Sequence, residues 1–209
     1  MIKLLGRQTS GNVQKVLFLL EELSVPYVRE DYGRQFGNTT TDAYKKLNPN
    51  SKVPTLIDGE LVIWESNTIL RYLAAIHAPD LLGIRPADRT YVERWMDWLL
   101  ASLNTPYVAV FKDAKKEPAE RSADFAAQSA DLIAQLKILD GHITGKPFFA
   151  LDRFTLADAA LGPIVKRCLE FPIERPDFPE LVRWQKSIEA RPAFAVAIGA
   201  KPSVLTSAA

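Results

Sequence analysis

The segment Thr9-Ser10-Gly11-Asn12 is the first place where side chains could do chemistry, because it stands where a helix is predicted to begin. A helix N-terminus presents free backbone N–H groups and a partial positive charge, so it attracts anions. A hydroxyl beside these groups adds a donor, and a thiolate is one anion that would profit from it. The structural alternative is that Ser10 or Asn12 serves only as the N-cap of the helix.

Lys52-Val53-Pro54 is the second candidate, at the predicted start of a strand. A proline restricts the residue before it to an extended conformation. If the Val53–Pro54 bond is cis, the turn would present the N–H and C=O of Val53 outward, where they could pair with a short extended peptide as a sheet edge does. The structural alternative is an ordinary proline at the entry to a strand.

Trp64-Glu65-Ser66-Asn67 is the third candidate, at the start of another predicted helix. Ser66 and the first free N–H groups could bind a carboxylate, while Glu65 could bind an ammonium. The structural alternative is again helix capping. Each candidate is weak alone, but together they call for a thiol, a peptide backbone and an amino-acid head group, and glutathione contains all three.

These candidates lie at junctions between predicted strands and helices in the first 77 residues. The elements follow the order β-α-β-α-β-β-α, with strands over 2–5, 25–30, 53–57 and 61–64 and helices over 12–23, 43–47 and 65–76. Asp58-Gly59, between the last two strands, is typical of a hairpin turn. Two strands joined through a helix, followed by a hairpin and a closing helix, predict a mixed four-stranded sheet.

Residues 78–87 contain two Pro and one Gly and are predicted to form a linker. Beyond the linker, apolar spacing indicates helices only: from 88 to about 115 with a bend near Pro106, then 125–143, 154–168 and 179–190. The sequence therefore predicts an α/β domain over 1–77, a linker over 78–87 and an all-helical domain over 88–209.

Composition excludes several classes of function. The 209 residues include 26 basic and 25 acidic ones without a basic stripe, so no nucleic-acid partner is expected. No apolar run approaches the ~20 residues of a membrane helix, and no signal peptide is apparent, so no membrane association is expected. The single Cys168 permits no intrachain disulfide and fits a reducing, cytoplasmic compartment. With one Cys and two His, no thiolate or imidazole metal site is expected, although a carboxylate site remains open.

The chain resembles a known family in several motifs. The segments 10–16, 48–56 and 65–69 (SGNVQKV, NPNSKVPTL and ESNTI) resemble the N-terminal motifs of bacterial and theta-like cytosolic glutathione transferases, in the same order and spacing. The segment 154–160 (FTLADAA) resembles the family's helix-starting motif in the second domain, where Thr155 as N-cap and Asp158 at N3 suit a structural capping box. The resemblance covers nearly the whole chain.

The resemblance implies a thioredoxin-like glutathione-binding domain followed by an all-helical domain. It aligns Ser10 with the serine that donates a hydrogen bond to the glutathione sulfur, with Asn12 second and Thr9 third as alternatives. Residues 1–26 contain no Tyr or Cys, so a serine-type or an atypical member is indicated. The remaining glutathione contacts that it implies are Lys52 with the glycine end, Val53 and Pro54 with the cysteinyl backbone, and Glu65 and Ser66 with the γ-glutamyl head.

A second substrate, a small hydrophobic electrophile, is expected to bind on the first long helix of the second domain. The candidates for its pocket are Trp95, Trp98, Asn104, Tyr107 and Phe111. The alternative is core packing, because Trp at helical spacing is common in cores. A homodimer is expected from the resemblance alone.

The predicted function is conjugation of the glutathione thiolate to such electrophiles. A second hypothesis is another glutathione reaction on the same fold, such as isomerisation, dehalogenation or peroxide reduction. A third is a non-enzymatic interaction module. The intact glutathione-binding set argues against the third, and the absence of a Cys at the sulfur position argues against reductive chemistry.

Overall fold

In the computed structural model, residues 1–205 are described, and they form two compact units. The first unit comprises Met1–Leu82 together with Glu189–Ala209, and the second comprises Gly83–Ile188. The predicted division instead placed all of 88–209 in the second domain. The structure corrects this division for the residues from Glu189 onward.

The first unit is built on a four-stranded sheet in the order β2-β1-β3-β4. β1 runs parallel to β2 and antiparallel to β3, and β3 and β4 form an antiparallel hairpin. The predicted order of elements and the mixed sheet are confirmed. The elements are β1 (Ile2–Leu5), α1 (Gly11–Glu22), β2 (Tyr27–Glu30), α2 (Asp42–Leu47), β3 (Thr55–Asp58), β4 (Leu61–Trp64) and α3 (Ser66–His77).

Helix α1 is the centre of the first unit, because it is apolar over most of its circumference. Val13, Val16, Leu17 and Leu20 are all at most 1% exposed. A helix that is apolar all round needs cover on several sides. Helices α3 and α9 (Pro192–Ala197) provide this cover by packing against α1.

The return of the chain to α1 explains why the residues from Glu189 onward belong to the first unit. The rings of Phe18 and Phe194 meet edge to face at 5.1 Å, and both side chains are fully buried. Arg191 Nε donates to Glu22 at 3.0 Å. Burial of the two aromatic rings stabilises this placement of α9. The half-buried ion pair between Arg191 and Glu22 adds to it.

The regular secondary structure in the described residues of the second unit is all helical. Its helices are α4 (Pro86–Trp98), α5 (Asn104–Asp113), α6 (Phe125–Ile143), α7 (Leu156–Glu170) and α8 (Pro179–Glu189). A π-helical turn over Leu99–Leu103 separates α4 from α5. The sequence predicted a bend near Pro106; the structure has this π-helical turn just before it, where the missing N–H of the proline leaves the preceding turn without a donor.

Asp158 is a fully buried carboxylate at the start of α7. It accepts hydrogen bonds from the N–H of Phe149 at 3.1 Å, from the N–H and hydroxyl of Thr155 at 3.0 Å each, and from Trp184 Nε1 at 3.0 Å. The predicted capping box is present. Burial raises the pKa of Asp158 to about 6, although the donors act in the opposite direction. Its role is therefore to join α7, α8 and the preceding loop.

Candidate functional site

Ser10 stands at the N-cap of α1 with extended backbone angles (φ −85°, ψ 125°). Its hydroxyl makes no capping hydrogen bond, and the first turn of α1 contains no acidic residue. Ser10 therefore caps the helix by position only. The hydroxyl and the first N–H groups of α1 remain available to an anion.

The two alternatives to Ser10 differ in their surroundings. Thr9 is exposed, whereas Asn12 is half-buried. Asn12 Oδ1 lies 3.4 Å from Ser66 Oγ, at the start of α3. This long contact brings the N-termini of α1 and α3 together, so the first and third candidate segments are neighbours.

The Val53–Pro54 bond is cis, as predicted. Strand β3 begins only at Thr55, so Val53 and Pro54 lie outside the ladder that was predicted to include them. Within residues 1–205, neither the N–H nor the C=O of Val53 makes a hydrogen bond. Gly6, directly after β1, approaches so closely that a Cβ added there would lie 3.4 Å from Val53 Cβ. Val53 thus offers an unpaired backbone edge beside the loop that leads to Ser10.

A buried network holds the segment before Val53 in place. The carbonyl of Lys52 accepts hydrogen bonds from Tyr44 Oη at 2.7 Å and from Asn48 Nδ2 at 2.9 Å. Both side chains also contact Thr55 Oγ1, at 2.9 and 3.1 Å. The side chain of Lys52 itself is exposed. The sequence patterns assigned no role to Tyr44 or Asn48, although Asn48 opens the motif that contains Val53 and Pro54.

Glu65 and Ser66 begin α3 in an unusual backbone conformation. Glu65 is the N-cap with φ 69° and ψ 114°, and its exposed carboxylate makes no capping bond. A positive φ costs a non-glycine residue roughly 1–3 kcal/mol. Ser66 is 4% exposed and is the first residue of α3. Together they place a free carboxylate next to a helix N-terminus, which suits a ligand that carries both charges.

Lys15 is a charged group beneath these segments. It lies on α1 and is 1% exposed. Burial lowers the pKa of its ammonium to about 7, while the charge of Glu65 acts in the opposite direction. The sequence patterns assigned no role to Lys15.

The candidates for the second substrate fall into two aromatic groups of the second unit. Trp95 is 8% exposed and packs against Trp98, His142 and Phe149, with ring centroids 5.5, 4.4 and 5.2 Å away. It occupies the core, as the packing alternative expected. Trp98 is half-buried beside it.

The second aromatic group lies on α5 and the end of α7. Tyr107 stacks on Phe171 at 6.0 Å, and half-buried Phe111 lies 6.1 Å from Tyr107 and 6.4 Å from Phe171. The guanidinium of Arg167 lies 5.9 Å from the ring of Phe111. Asn104 is half-buried at the start of α5. Phe171 was missed because it follows the last periodic residue of its helix.

The described residues outside these segments offer neither a metal-binding cluster nor an accessible thiol. In the described part of the chain, no cluster of His, Cys, Asp and Glu could hold a metal ion. Cys168 is fully buried, and burial raises the pKa of its thiol. None of the helices in the described residues is long and apolar enough to span a bilayer.

Comparison with protein families identifies both parts of the chain. Residues 2–75 match the glutathione S-transferase N-terminal domain, and residues 95–192 match the glutathione S-transferase C-terminal domain. Among characterised relatives, glutathione S-transferase GstB of Escherichia coli is 36% identical over 198 residues, covering 92% of this chain and 95% of that protein. Glutathione S-transferase 4 of Zea mays is 28% identical, with 92% and 89% covered.

Solved structures agree with these matches. The theta class glutathione S-transferase of Xanthomonas axonopodis pv. citri, with glutathione bound, superposes with a TM-score of 0.90 at 39% identity, covering 97% of this chain and 99% of that chain. A glutathione transferase family member of Pseudomonas fluorescens, with two glutathione molecules bound, has a TM-score of 0.85 at 25% identity, covering 94% and 92%.

Proposed function

Because the chain belongs to the glutathione S-transferase family, we propose that the Ser10 hydroxyl donates the hydrogen bond to the glutathione sulfur. The protein is a glutathione transferase, with glutathione as its co-substrate. The observation that carries the proposal is that the Ser10 hydroxyl makes no capping bond at the N-terminus of α1. A free thiol has a pKa of about 8.5, and a donor beside a helix N-terminus lowers it. Asn12 is the second candidate and Thr9 the third.

The remaining parts of glutathione match the other candidate segments. The unpaired N–H and C=O of Val53 are proposed to pair with the cysteinyl backbone, with Pro54 closing the turn. Exposed Lys52 would contact the glycine carboxylate. Ser66 with the N-terminus of α3 would hold the γ-glutamyl carboxylate, and Glu65 the ammonium.

The second substrate is proposed to be a small hydrophobic electrophile. The thiolate forms a bond to the electrophilic carbon, whose leaving group departs with the bonding electrons. Half-buried aromatic rings on the second unit are suited to an apolar ligand. The proposed binding surface is formed by half-buried Phe111, Trp98 and Asn104, with buried Tyr107 and Trp95 supporting it from the core. Because a hydroxyl rather than a thiol stands at the sulfur position, conjugation is favoured over reductive reactions.

The biological setting is proposed to be detoxification by a cytoplasmic homodimer. The single buried Cys168 needs no oxidising compartment, which supports a cytoplasmic location. The homodimer rests on the family resemblance. The presence of every residue proposed to contact glutathione supports an enzyme rather than a non-enzymatic interaction module.

Replacement of Ser10 tests the proposed catalytic role. Ser10→Ala should lower turnover with a generic aryl halide at least ten-fold, about 1.4 kcal/mol in the activation free energy. Glutathione affinity should be largely kept, and the pKa of the bound thiol should rise toward that of free glutathione. Asn12→Ala and Thr9→Val serve as matched controls. Undiminished turnover in Ser10→Ala, with a loss in either control, would transfer the role to that residue.

A further inference from the structure

The ammonium of Lys15 is buried in the first unit without a direct partner. Lys15 is 1% exposed, and within residues 1–205 it makes no hydrogen bond or ion pair. Burial of an uncompensated ammonium is costly, and most buried lysines are paired. A residue retained at such a cost in the core calls for a function.

The helix geometry locates this ammonium beneath the glutathione candidates. Helical side chains lean toward the N-terminus of their helix, so the stem of Lys15 runs past Gly11 and Asn12, one turn earlier. Asn12 is the residue of α1 that contacts Ser66. The charge that acts on Lys15 is that of Glu65, the neighbour of Ser66. Lys15 therefore lies on α1 one turn after the residue that contacts the N-terminus of α3, and its charge interacts with that of Glu65.

Other charged groups around α1 do not neutralise Lys15. Helices α3 and α9 pack against α1. Their charged or titratable groups are Glu65 at the N-cap of α3, Arg71, Tyr72 and His77 on α3, and Arg191 at the start of α9; Tyr72 donates to Asp58. Arg191 pairs with Glu22 at the opposite end of α1. Glu65, at a distance, is therefore the group that favours a proton on Lys15.

We propose that Lys15 is a positioning residue of the glutathione site, whose ammonium provides the positive field that holds the γ-glutamyl carboxylate at Ser66 and becomes fully protonated when that carboxylate binds. This inference rests on the proposed binding of the head group to Glu65 and Ser66. In the complex, four charges would alternate in sign: Lys15, the ligand carboxylate, the ligand ammonium and Glu65. Each charge would lie next to an opposite one.

Protonation of Lys15 is sensitive to a bound anion because the pKa of its ammonium lies near neutral pH. Burial lowers the pKa of Lys15 to about 7, so near neutral pH the empty site holds a mixture of protonated and neutral lysine. A carboxylate arriving nearby favours the charged form, and the site takes up part of a proton from solution. A lysine with a solely structural role would not link proton uptake to the ligand carboxylate.

Calorimetry with S-methylglutathione tests this linkage, because the methylated sulfur has no proton to release. Binding is measured at pH 7.5 in buffers of different ionisation enthalpy, which gives the number of protons taken up. The wild-type protein should take up a fraction of a proton. Lys15→Met should take up none and bind S-methylglutathione at least ten-fold more weakly. Proton uptake that persists in Lys15→Met, or unchanged affinity, would overturn the proposal.

A matched ligand separates the carboxylate from the rest of the molecule. S-methylated 4-aminobutyryl-cysteinylglycine lacks only the α-carboxylate of the γ-glutamyl group. By displacement titration, wild type and Lys15→Met should bind it equally and without proton uptake. If Lys15→Met weakens binding of this analogue as much as it weakens binding of S-methylglutathione, the proposed role of Lys15 at the carboxylate would be overturned.

Two further variants distinguish failure of the head-group arrangement from failure of the Lys15 proposal. Glu65→Ala and Ser66→Ala should each weaken S-methylglutathione binding. If neither does, the head group lies elsewhere and both proposals fall. If both do while Lys15→Met binds as the wild type does, only the role of Lys15 falls. Lys15→Met should melt no lower than the wild type, since removal of a buried ammonium relieves its desolvation, so weaker binding would not reflect unfolding.

Discussion

Replacement of Asp158 by alanine should destabilise the second unit strongly. The carboxylate accepts hydrogen bonds from the N–H groups of Phe149 and Thr155 and from Trp184 Nε1. These donor residues are each at most 2% exposed, so water cannot replace the lost acceptor without a rearrangement. Alanine would leave all these donors without a partner.

The expected loss follows from two opposing contributions. A buried donor left unpaired costs about 1–3 kcal/mol, so these donors together cost roughly 3–6 kcal/mol or more. Removal of the carboxylate also relieves its own desolvation. Burial raises the pKa of Asp158 from 3.8 to about 6, which corresponds to roughly 3 kcal/mol at about 1.36 kcal/mol per tenfold change in acidity. At about 2 kcal/mol for each of the three donors, the free energy of unfolding should therefore fall by about 3 kcal/mol.

Urea denaturation at pH 7.5 measures this loss, because Asp158 is then ionised. Trp184→Phe removes one donor, so Asp158→Ala should cost about 1 kcal/mol less in that background. Turnover per folded molecule, measured well below the melting temperature, should remain close to the wild-type value. A loss under about 1 kcal/mol, or equal costs in both backgrounds, would refute the accounting of unpaired donors.

Two further predictions concern the first unit. Glu65→Ala should weaken glutathione binding at least ten-fold in calorimetry while kcat at saturation changes little; unchanged affinity would remove Glu65 from the head-group site. Lys15 has a pKa of about 7 in the folded chain against 10.5 in the unfolded one, so the unfolded chain binds more protons between these values and stability rises with pH there. In urea denaturation, the free energy of unfolding of Lys15→Met should exceed that of the wild type by roughly 1–4 kcal/mol at pH 6 and by less at pH 10. A difference in the free energy of unfolding that does not depend on pH would contradict a buried charge at Lys15.

The order of elements in the first unit could be predicted because it is encoded locally. Alternation, helical spacing and Asp58-Gly59 mark the strands, helices and hairpin. The turn itself lies one residue later than predicted, since Asp58 still pairs with Leu61 and the loop residues are Gly59 and Glu60. Gly59 takes φ 59°, which the first loop position of such a turn requires.

The candidate site was only partly predictable. Ser10, Val53 and Glu65 could be proposed because they lie at the ends of elements, where sequence motifs report local backbone geometry. Lys15 and Tyr44 could not, since their importance depends on burial by distant parts of the chain. In the sequence, Lys15 resembles any lysine on a helix.

Helical periodicity in the second unit identified helices but not their neighbours. It did not show that Trp95 packs against His142 and Phe149 in the core, while Tyr107 joins Phe171. It also did not show that α9 belongs to the first unit. The pairing of apolar helix faces depends on their shape and on the connectivity of the chain, and a local sequence pattern predicts neither.

The return of α9 to α1 sets an order on the biosynthesis of the protein. The ribosome releases the residues of the sheet and of Phe18 before those of the second unit, and Phe194 emerges only after Ile188. The face of α1 that α9 covers therefore stays open to solvent while 83–188 are being made. During this interval the nascent chain displays an apolar surface of the kind that favours aggregation and chaperone binding. Synthesis of the first unit thus begins before that of the second unit and is completed only after it.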